Sequence, residues 1–171
     1  KNNSKDFEKQ WESYSYQTIL NPNKKITKAF VITGTDPRGT AFGVFDLSQK
    51  MGVSPWYWWA DVPAKKRQSA YVLAGRYTSG EPKVKYRGVF INDEAPCLTS
   101  WVKNTYGTNY GDHKFYSRVF ELILRLKGNF LWPAMWGSAF YDDDPQNGIL
   151  ANEMGIVMST SHHEPMAMAQ S

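Results

Sequence analysis

The sequence predicts an α/β protein with two regions, and three observations carry this prediction. Between residues 84 and 171, three apolar segments alternate with two helical segments in the order β-α-β-α-β. These segments are too apolar for strands with one solvated face, which indicates parallel strands covered by helices. Near the start, a strand, a glycine-bounded loop and a helix also follow one another. Hydrophobic residues make up 42% of the 171-residue chain, enough to bury a core.

The first region begins with an apolar strand, "KAFVITG", at residues 28–34. The glycines of the following loop, Gly34 and Gly39, fit the spacing of neither the P-loop nor the dinucleotide fingerprint, so a turn is predicted rather than a phosphate site. A helix over "AFGVFDLSQKMG" comes next, with Gly52 as its left-handed stop. The residues expected on one face of this helix are Ala41, Val44, Phe45 and Ser48.

An aromatic cluster, residues 56–59, follows this helix and is neither alternating nor helical in pattern. It could pack between domains or line a sugar site, and both interpretations are open. Residues 69–73, "SAYVL", resemble another strand. The stretch "GRYTSGEPKVK" then combines glycine, serine, proline and charge, which predicts a domain boundary near residue 80.

The clearest helix of the second region is "DHKFYSRVFELILRLKG". Asp112 suits the N-cap, basic residues occupy the last turn, and Gly128 suits the C′ position. Apolar residues repeat every three or four positions, at Phe115, Val119, Leu122 and Leu126. A second, shorter helix is predicted in "PQNGILANEMG", with Pro145 near its first turn.

Three predicted strands surround these helices, in "KYRGVFIND", "NFLWP" and "IVMST". In a parallel β/α array, ligands bind beyond the carboxyl ends of the strands. The residues at those ends are Asn92, Asp93 and Glu94 after the first strand, Trp132 and Trp136 at the second, and Ser159 to Glu164 after the third. Amides and imidazoles bind hydroxyl groups, tryptophan stacks on sugar rings and carboxylates transfer protons, so this edge is typical of a sugar site.

Other classes of site have weak support. His162 and His163 are adjacent and diverge, whereas zinc helices use histidines four residues apart, so neither a metal nor a cofactor is expected. Three consecutive aspartates from Asp142 lack the EF-hand pattern and predict a solvated loop cap. The net charge is +4, with no nucleic-acid motif and no apolar run of membrane-spanning length. The single cysteine, Cys97, excludes an intramolecular disulfide and lacks a catalytic signature.

Long stretches of the chain resemble the xylan α-glucuronidases of glycoside hydrolase family 115. The matching stretches are "YRGVFINDEAP", "FELILRLKGNFLWPAMWGSAFYDDDP" and "MGIVMSTSHHEPM", and "ITGTDPRGTAFGVFDLSQKMGVSPWYWWADVP" upstream. The resemblance implies that residues 1–80 are the C-terminal part of an N-terminal α/β domain. It implies that residues 81–171 hold the first three strands of a (β/α)8 TIM barrel.

The resemblance also implies an activity. The expected enzyme is an inverting hydrolase that removes D-glucuronic acid, or its 4-O-methyl ether, from the α-1,2 branches of xylan. The implied partners are glucuronoxylan or aldouronic acids, with no nucleic acid and no membrane, and a homodimer is an option for the full-length protein. A periplasmic or extracellular location rests on the resemblance alone. An alternative is a non-catalytic or differently specific carbohydrate-binding protein on the same scaffold.

The family's pocket positions correspond here to Asn92, Asp93, Trp136 and His162. Asn92 and His162 are assigned to hydroxyl or carboxylate contacts and Trp136 to stacking, although an interdomain hydrogen bond is an alternative for His162. Asp93 is the candidate catalytic carboxylate, either as the base or as a ligand of sugar hydroxyls, and Glu94 and Glu164 compete with it.

About three βα units fit between residue 84 and the last residue, whereas a closed barrel needs eight. The chain is therefore expected to be a fragment that is insufficient for activity. The principal catalytic acid/base is expected beyond Ser171.

Overall fold

The structure is a computed structural model that describes residues 7–92, 95–133 and 137–159. It divides into two compact units, one up to Lys85 and one from Tyr86 onwards. The assignment of residues 1–80 and 81–171 to two particular domains stays a prediction. In the described part, no helix is long and apolar enough to cross a bilayer.

The first unit contains a three-stranded antiparallel sheet and one long helix. The strands are β1 (Tyr14–Asn23), β2 (Ile26–Gly34) and β3 (Arg76–Thr78), in the order β2-β1-β3. The helix α1 (Pro37–Lys50) packs on β1 and β2. The predicted strand at residues 28–34 is therefore confirmed as part of β2, whereas β1 was not predicted.

The loop between β2 and α1 is a turn that caps the helix. Asp36 accepts a hydrogen bond from the amide of Gly39 (2.7 Å), the usual N-cap arrangement, and another from the amide of Glu12 (2.6 Å). A Cβ atom on Gly39 would lie 2.3 Å from the carbonyl oxygen of Ser13. Glycine occupies this position because the backbone just before β1 passes against it, which leaves no room for a side chain. This structural role agrees with the predicted turn.

Helix α1 buries a different face from the expected one. Its buried residues are Gly39, Phe42, Gly43 and Asp46, while Val44 is 50% exposed. A Cβ atom on Gly43 would lie 2.7 Å from Cγ2 of Ile32, so the helix approaches the sheet through a glycine. Hydrophobic periodicity misses such a contact because the contacting residue has no side chain. Gly52 follows the helix with a φ of +101°, as predicted.

The strand expected at residues 69–73 is wrong. This segment has no strand structure, and Tyr71 and Leu73 are 92% and 94% exposed. The strand of this part of the chain is β3, where Tyr77 lies opposite Tyr16 of β1.

The second unit contains the predicted parallel sheet. Its strands are β4 (Gly88–Phe90), β5 (Phe130–Trp132) and β6 (Val157–Met158), and each pairs in parallel with its neighbour in chain order. In the described part of this unit the helices are α2 (Cys97–Tyr106), α3 (His113–Arg125), α4 (Phe140–Asp143) and α5 (Gln146–Glu153). Parallel pairing with helical connections confirms the α/β prediction for this unit, whereas α2 and the short α4 were not predicted.

Helix α3 provides most of the core of this unit. Its buried residues are Phe115, Tyr116, Val119, Phe120, Ile123 and Leu124. Two residues of the expected stripe, Phe115 and Val119, are among them, but Leu126 is 44% exposed. Asp112 accepts a hydrogen bond from the amide of Phe115 (3.0 Å), so the predicted N-cap is confirmed.

The end of α3 differs from the prediction by one residue. Lys127, not Gly128, has the left-handed backbone, with a φ of +61°. The amide of Lys127 donates to Leu124 O (3.0 Å) and that of Gly128 to Ile123 O (2.8 Å), which is a Schellman motif with Lys127 at C′. Gly128 is required for another reason, since a Cβ atom there would lie 2.9 Å from Arg87 O.

Candidate functional site

The candidate site is the edge of the second unit where the carboxyl ends of β4, β5 and β6 meet. Because the three strands are parallel and adjacent, their carboxyl ends lie side by side. The hydrogen bonding continues past the strand ends. The amide of Ile91 donates to Trp132 O (2.9 Å) and that of Ser159 to Leu131 O (3.0 Å). The segments entering the site are thereby held at a fixed register.

Asn92 is the one predicted pocket residue that the structure describes. It follows Ile91 at the carboxyl end of β4, and its side chain is exposed. The other three predicted pocket residues, Asp93, Trp136 and His162, lie outside the described residues, as do Glu94, His163 and Glu164. Their roles stay predictions.

An aromatic pair lies at the end of the two strands that lead to Asn92 and Trp136. Phe90 and Trp132 are register partners, and their rings meet edge to face with centroids 5.6 Å apart. Phe90 is 43% exposed, whereas Leu131, which points to the opposite face, is fully buried. The carboxyl end of the β4–β5 pair therefore presents two aromatic rings, and Asn92 follows two residues after the first of them.

Binding of a uronate calls for a cation, for which the sequence offers Arg87 and Arg38, and Arg87 lies away from this edge. Arg87 precedes β4, at the opposite end of the strand from Asn92, and its Nε donates to Lys127 O (3.0 Å). Its backbone amide donates to Oδ1 of the buried Asn129 (2.9 Å). Arg87 therefore connects β4 to the entry of β5. Arg38 belongs to the first unit, where its Nε lies 2.5 Å from Oε1 of Glu12.

Asp143 and Asp144 form hydrogen bonds near the end of the segment that follows β5, the segment to which Trp136 belongs. Asp143, the last residue of α4, accepts a hydrogen bond from the amide of Ala139 (2.7 Å), just before this helix. Asp144 accepts hydrogen bonds from the amides of His113 (3.0 Å) and Gln146 (2.9 Å), and its Oδ2 lies 2.7 Å from Nδ1 of His113. The predicted solvated loop cap is wrong in part, because Asp142 and Asp143 belong to the short helix α4 and only Asp142 is exposed. The contact between Asp144 and His113 was not foreseen.

The two carboxyl groups differ in electrostatics. Burial raises the pKa of Asp143, and the bond from Ala139 only partly offsets this effect. Burial acts in the same direction on Asp144, but the hydrogen bonds from His113 and Gln146 outweigh it and lower the pKa of Asp144. Asp144 is therefore a carboxylate that joins the starts of α3 and α5 at neutral pH.

No metal centre is found among the described side chains, where no three His, Cys, Asp or Glu residues are close enough to share an ion. Cys97 is exposed at the start of α2. The described part of the strand-end edge thus offers an amide and aromatic rings, groups that bind neutral hydroxyls and ring faces.

The class of protein is that of the glycosyl hydrolases, since residues 79–171 match a family model of that class. The particular family is glycosyl hydrolase family 115, and because the match covers more than half of the chain, the chain belongs to this family. A search of curated proteins gave no match.

A solved structure extends the likeness to nearly the whole chain. It is that of a family GH115 4-O-methyl-α-glucuronidase with specificity for decorated arabinogalactans. The identity is 33% and the TM-score is 0.78, over 95% of this chain and 21% of the other. The chain therefore spans about a fifth of the length of the structure it matches.

Proposed function

We propose that the protein carrying this chain is an α-glucuronidase that releases glucuronic acid, or its 4-O-methyl ether, from a decorated polysaccharide. The observation that carries this proposal is the family match over residues 79–171, the region whose strand ends hold Asn92. The similarity to a 4-O-methyl-α-glucuronidase supports the same reaction. In this proposal the described strands form the start of a TIM barrel, in agreement with their parallel, sequential order.

The mechanism we propose is inversion with two carboxyl groups on opposite sides of the scissile bond. In such enzymes the groups stand roughly 6.5–9.5 Å apart, because a water molecule must fit between the base and the sugar. Asp93 is proposed as a mechanistic carboxylate, as base or as ligand of the sugar hydroxyls. Asn92 and His162 are proposed to bind hydroxyl or carboxylate groups, and Trp136 to stack on the sugar ring.

Two polysaccharides are candidates for the substrate. The motif resemblance favours α-1,2-decorated xylan, whereas the solved relative is specific for decorated arabinogalactans. The ratio of kcat/KM on glucuronoxylan to kcat/KM on glucuronate-decorated arabinogalactan, measured with the full-length protein, decides between them. The anomer first released, observed by NMR during the reaction, tests inversion. Export to the periplasm or exterior and a homodimeric state are further proposals for the full-length protein.

Replacement of Asp93 tests the proposed mechanism. In the full-length protein, Asp93→Ala should lower the rate of glucuronate release by roughly 10²–10⁴, the usual contribution of a positioned acid or base. The matched control is Glu94→Gln, which removes the charge of the neighbouring carboxylate and should leave most of the activity.

The melting temperature of each variant separates a loss of chemistry from a loss of folding. Normal turnover by a folded Asp93→Ala variant would remove Asp93 from the mechanism. If the full-length protein binds aldouronic acids without hydrolysing them, the alternative of a non-catalytic carbohydrate-binding protein takes the place of the enzyme.

A further inference from the structure

The first unit contains a groove that the proposed function does not use. Its volume is about 410 Å³, within the size range of ligand sites in proteins. Residues of all three strands, the end of α1 and the exposed segment 71–75 line it. We call it the Tyr77 groove, after one of the aromatic rings that line it.

Three aromatic rings form a row beneath the groove, one from each strand of the sheet. The ring of Tyr16 in β1 lies between that of Phe30 in β2 (centroids 5.5 Å apart) and that of Tyr77 in β3 (5.7 Å). Tyr16 is only 7% exposed, and its hydroxyl oxygen lies 2.8 Å from both Gly43 O and Oδ2 of Asp46. Tyr77 is 50% exposed. The row thus anchors one buried ring and presents the next one to a ligand.

The charge of the groove is positive. Lys50 and Arg76 line it, and no carboxylate is among the lining residues, all of which the structure describes. Lys50 Nζ is 2.6 Å from Oδ2 of Asp46 and 4.6 Å from the centroid of Tyr77, so it holds the tyrosine ring in place. Arg76 is exposed, and no carboxylate of the described residues lies within ion-pair distance of it.

These groups match the chemistry of a uronic acid. An exposed tyrosine face stacks on the C–H face of a pyranose ring, and an arginine guanidinium binds a carboxylate through two parallel hydrogen bonds. Arg76 and Tyr77 are adjacent in β3, so a cation and a ring come from one short strand. An apolar peptide would use the ring and the exposed segment 71–75 but would leave the guanidinium without a partner.

We propose that the Tyr77 groove is a second carbohydrate site, which binds uronate-bearing segments of an acidic polysaccharide. In this site the ring of Tyr77 stacks on the sugar, Arg76 binds its carboxylate, and Lys50 with Tyr16 fixes the tyrosine. None of the residues proposed for hydrolysis takes part, so the groove retains the polymer without contributing to bond cleavage.

Affinity electrophoresis of the full-length protein tests this site. Native gels containing glucuronate-decorated polysaccharide should retard the wild type, and gels with the same polymer after reduction of its carboxyl groups should retard it much less. Arg76→Gln and Tyr77→Ala should each weaken binding to the acidic polymer roughly tenfold, since each removes one principal contact. Arg67→Gln is the control, because Arg67 is an exposed arginine of the same unit that lies outside the groove.

A second measurement separates this proposal from the proposed function. Glucuronate release from a short aldouronic oligosaccharide should be unchanged in Arg76→Gln, because the groove takes no part in bond cleavage. Binding to the acidic polymer is measured separately from hydrolysis, so the binding effect can be observed even if the protein proves to have no hydrolase activity. Since Tyr77→Ala removes a cross-strand ring contact and could unfold the sheet, Arg76→Gln, a change on the exposed surface, is the decisive variant.

Three outcomes would overturn the proposal. The first is that Arg76→Gln and a folded Tyr77→Ala are both retarded as strongly as the wild type. The second is equal retardation by the carboxyl-reduced polymer. The third is a lower melting temperature for Leu73→Ser with unchanged binding in all groove variants, which would mean that an apolar segment of protein covers the groove.

Discussion

At the scale of single residues, Asp144 uses one carboxylate to stabilise the end of the segment that follows β5. Its carboxylate accepts hydrogen bonds from the amides of His113 and Gln146 and lies against the His113 ring. Asp144→Ala should therefore destabilise the full-length protein by about 1–3 kcal/mol at neutral pH, the usual cost of removing hydrogen bonds to a charged group. Urea unfolding measures the loss. The exposed neighbour Asp142 is the control, and Asp142→Ala should change stability by less than about 0.5 kcal/mol.

The pH dependence of this difference follows from the lowered pKa of Asp144. A carboxyl group whose pKa is lower in the folded than in the unfolded state stabilises the protein fully above its unfolded pKa, about 3.9. The contribution is lost as the pH falls from there through the folded pKa. The gap in stability between the wild type and Asp144→Ala should therefore be constant near neutral pH and shrink below about pH 4. A gap that stays unchanged as the pH falls well below 4 would contradict the ionised form of Asp144.

At the scale of secondary-structure elements, the end of α3 provides a pair of substitutions with opposite expected effects. Lys127 has a left-handed backbone, which is unfavourable for a residue with a Cβ atom, so Lys127→Gly should stabilise the protein by about 1 kcal/mol. Gly128→Ala should destabilise it, because the added Cβ would lie 2.9 Å from both Arg87 O and Cγ2 of Ile123. The control is Lys114→Gly, where glycine enters the right-handed part of α3 and should cost stability.

Thermal unfolding of the three variants, compared with the wild type, measures these effects. If Lys127→Gly proves destabilising while Gly128→Ala still costs stability, the left-handed position belongs to residue 128, as the sequence pattern alone had indicated.

Local patterns predicted some elements correctly, and distant contacts explain most of the rest. The N-cap of α3 can be predicted because Asp112 accepts a hydrogen bond from an amide only three residues away. The parallel strands can be predicted because their sequences are apolar on both faces. The short strand β3 depends instead on pairing between Tyr16 and Tyr77, which are far apart in the chain. The bond between Asp144 and His113 likewise joins separate helices. For the site, the pattern correctly assigned Asn92 to a strand end, but no local signal distinguishes a pocket arginine from Arg87, which binds backbone next to its own sheet.

At the scale of the whole molecule, the parallel sheet of the second unit indicates how the 171-residue chain behaves when produced alone. Both β4 and β6 are edge strands of the described sheet, and each has only β5 as a partner. Val89 and Phe90 of β4 are each 43% exposed, and Tyr86 just before it is 54% exposed. Unpaired strand edges and exposed apolar side chains favour association with other chains over a stable monomer.

The isolated chain should therefore lack a cooperative thermal transition in its second unit and should aggregate as its concentration rises. Hydrogen exchange followed by mass spectrometry measures this for each strand, and the peptide containing β4 should exchange much faster in the isolated chain than in the full-length protein. The peptide containing α3 is the internal control, because this helix buries six residues within its own unit and should keep more protection. Equal, slow exchange of β4 in both proteins would show that three parallel strands and their helices are sufficient to hold the sheet. In that case the candidate site could be studied in the 171-residue chain itself.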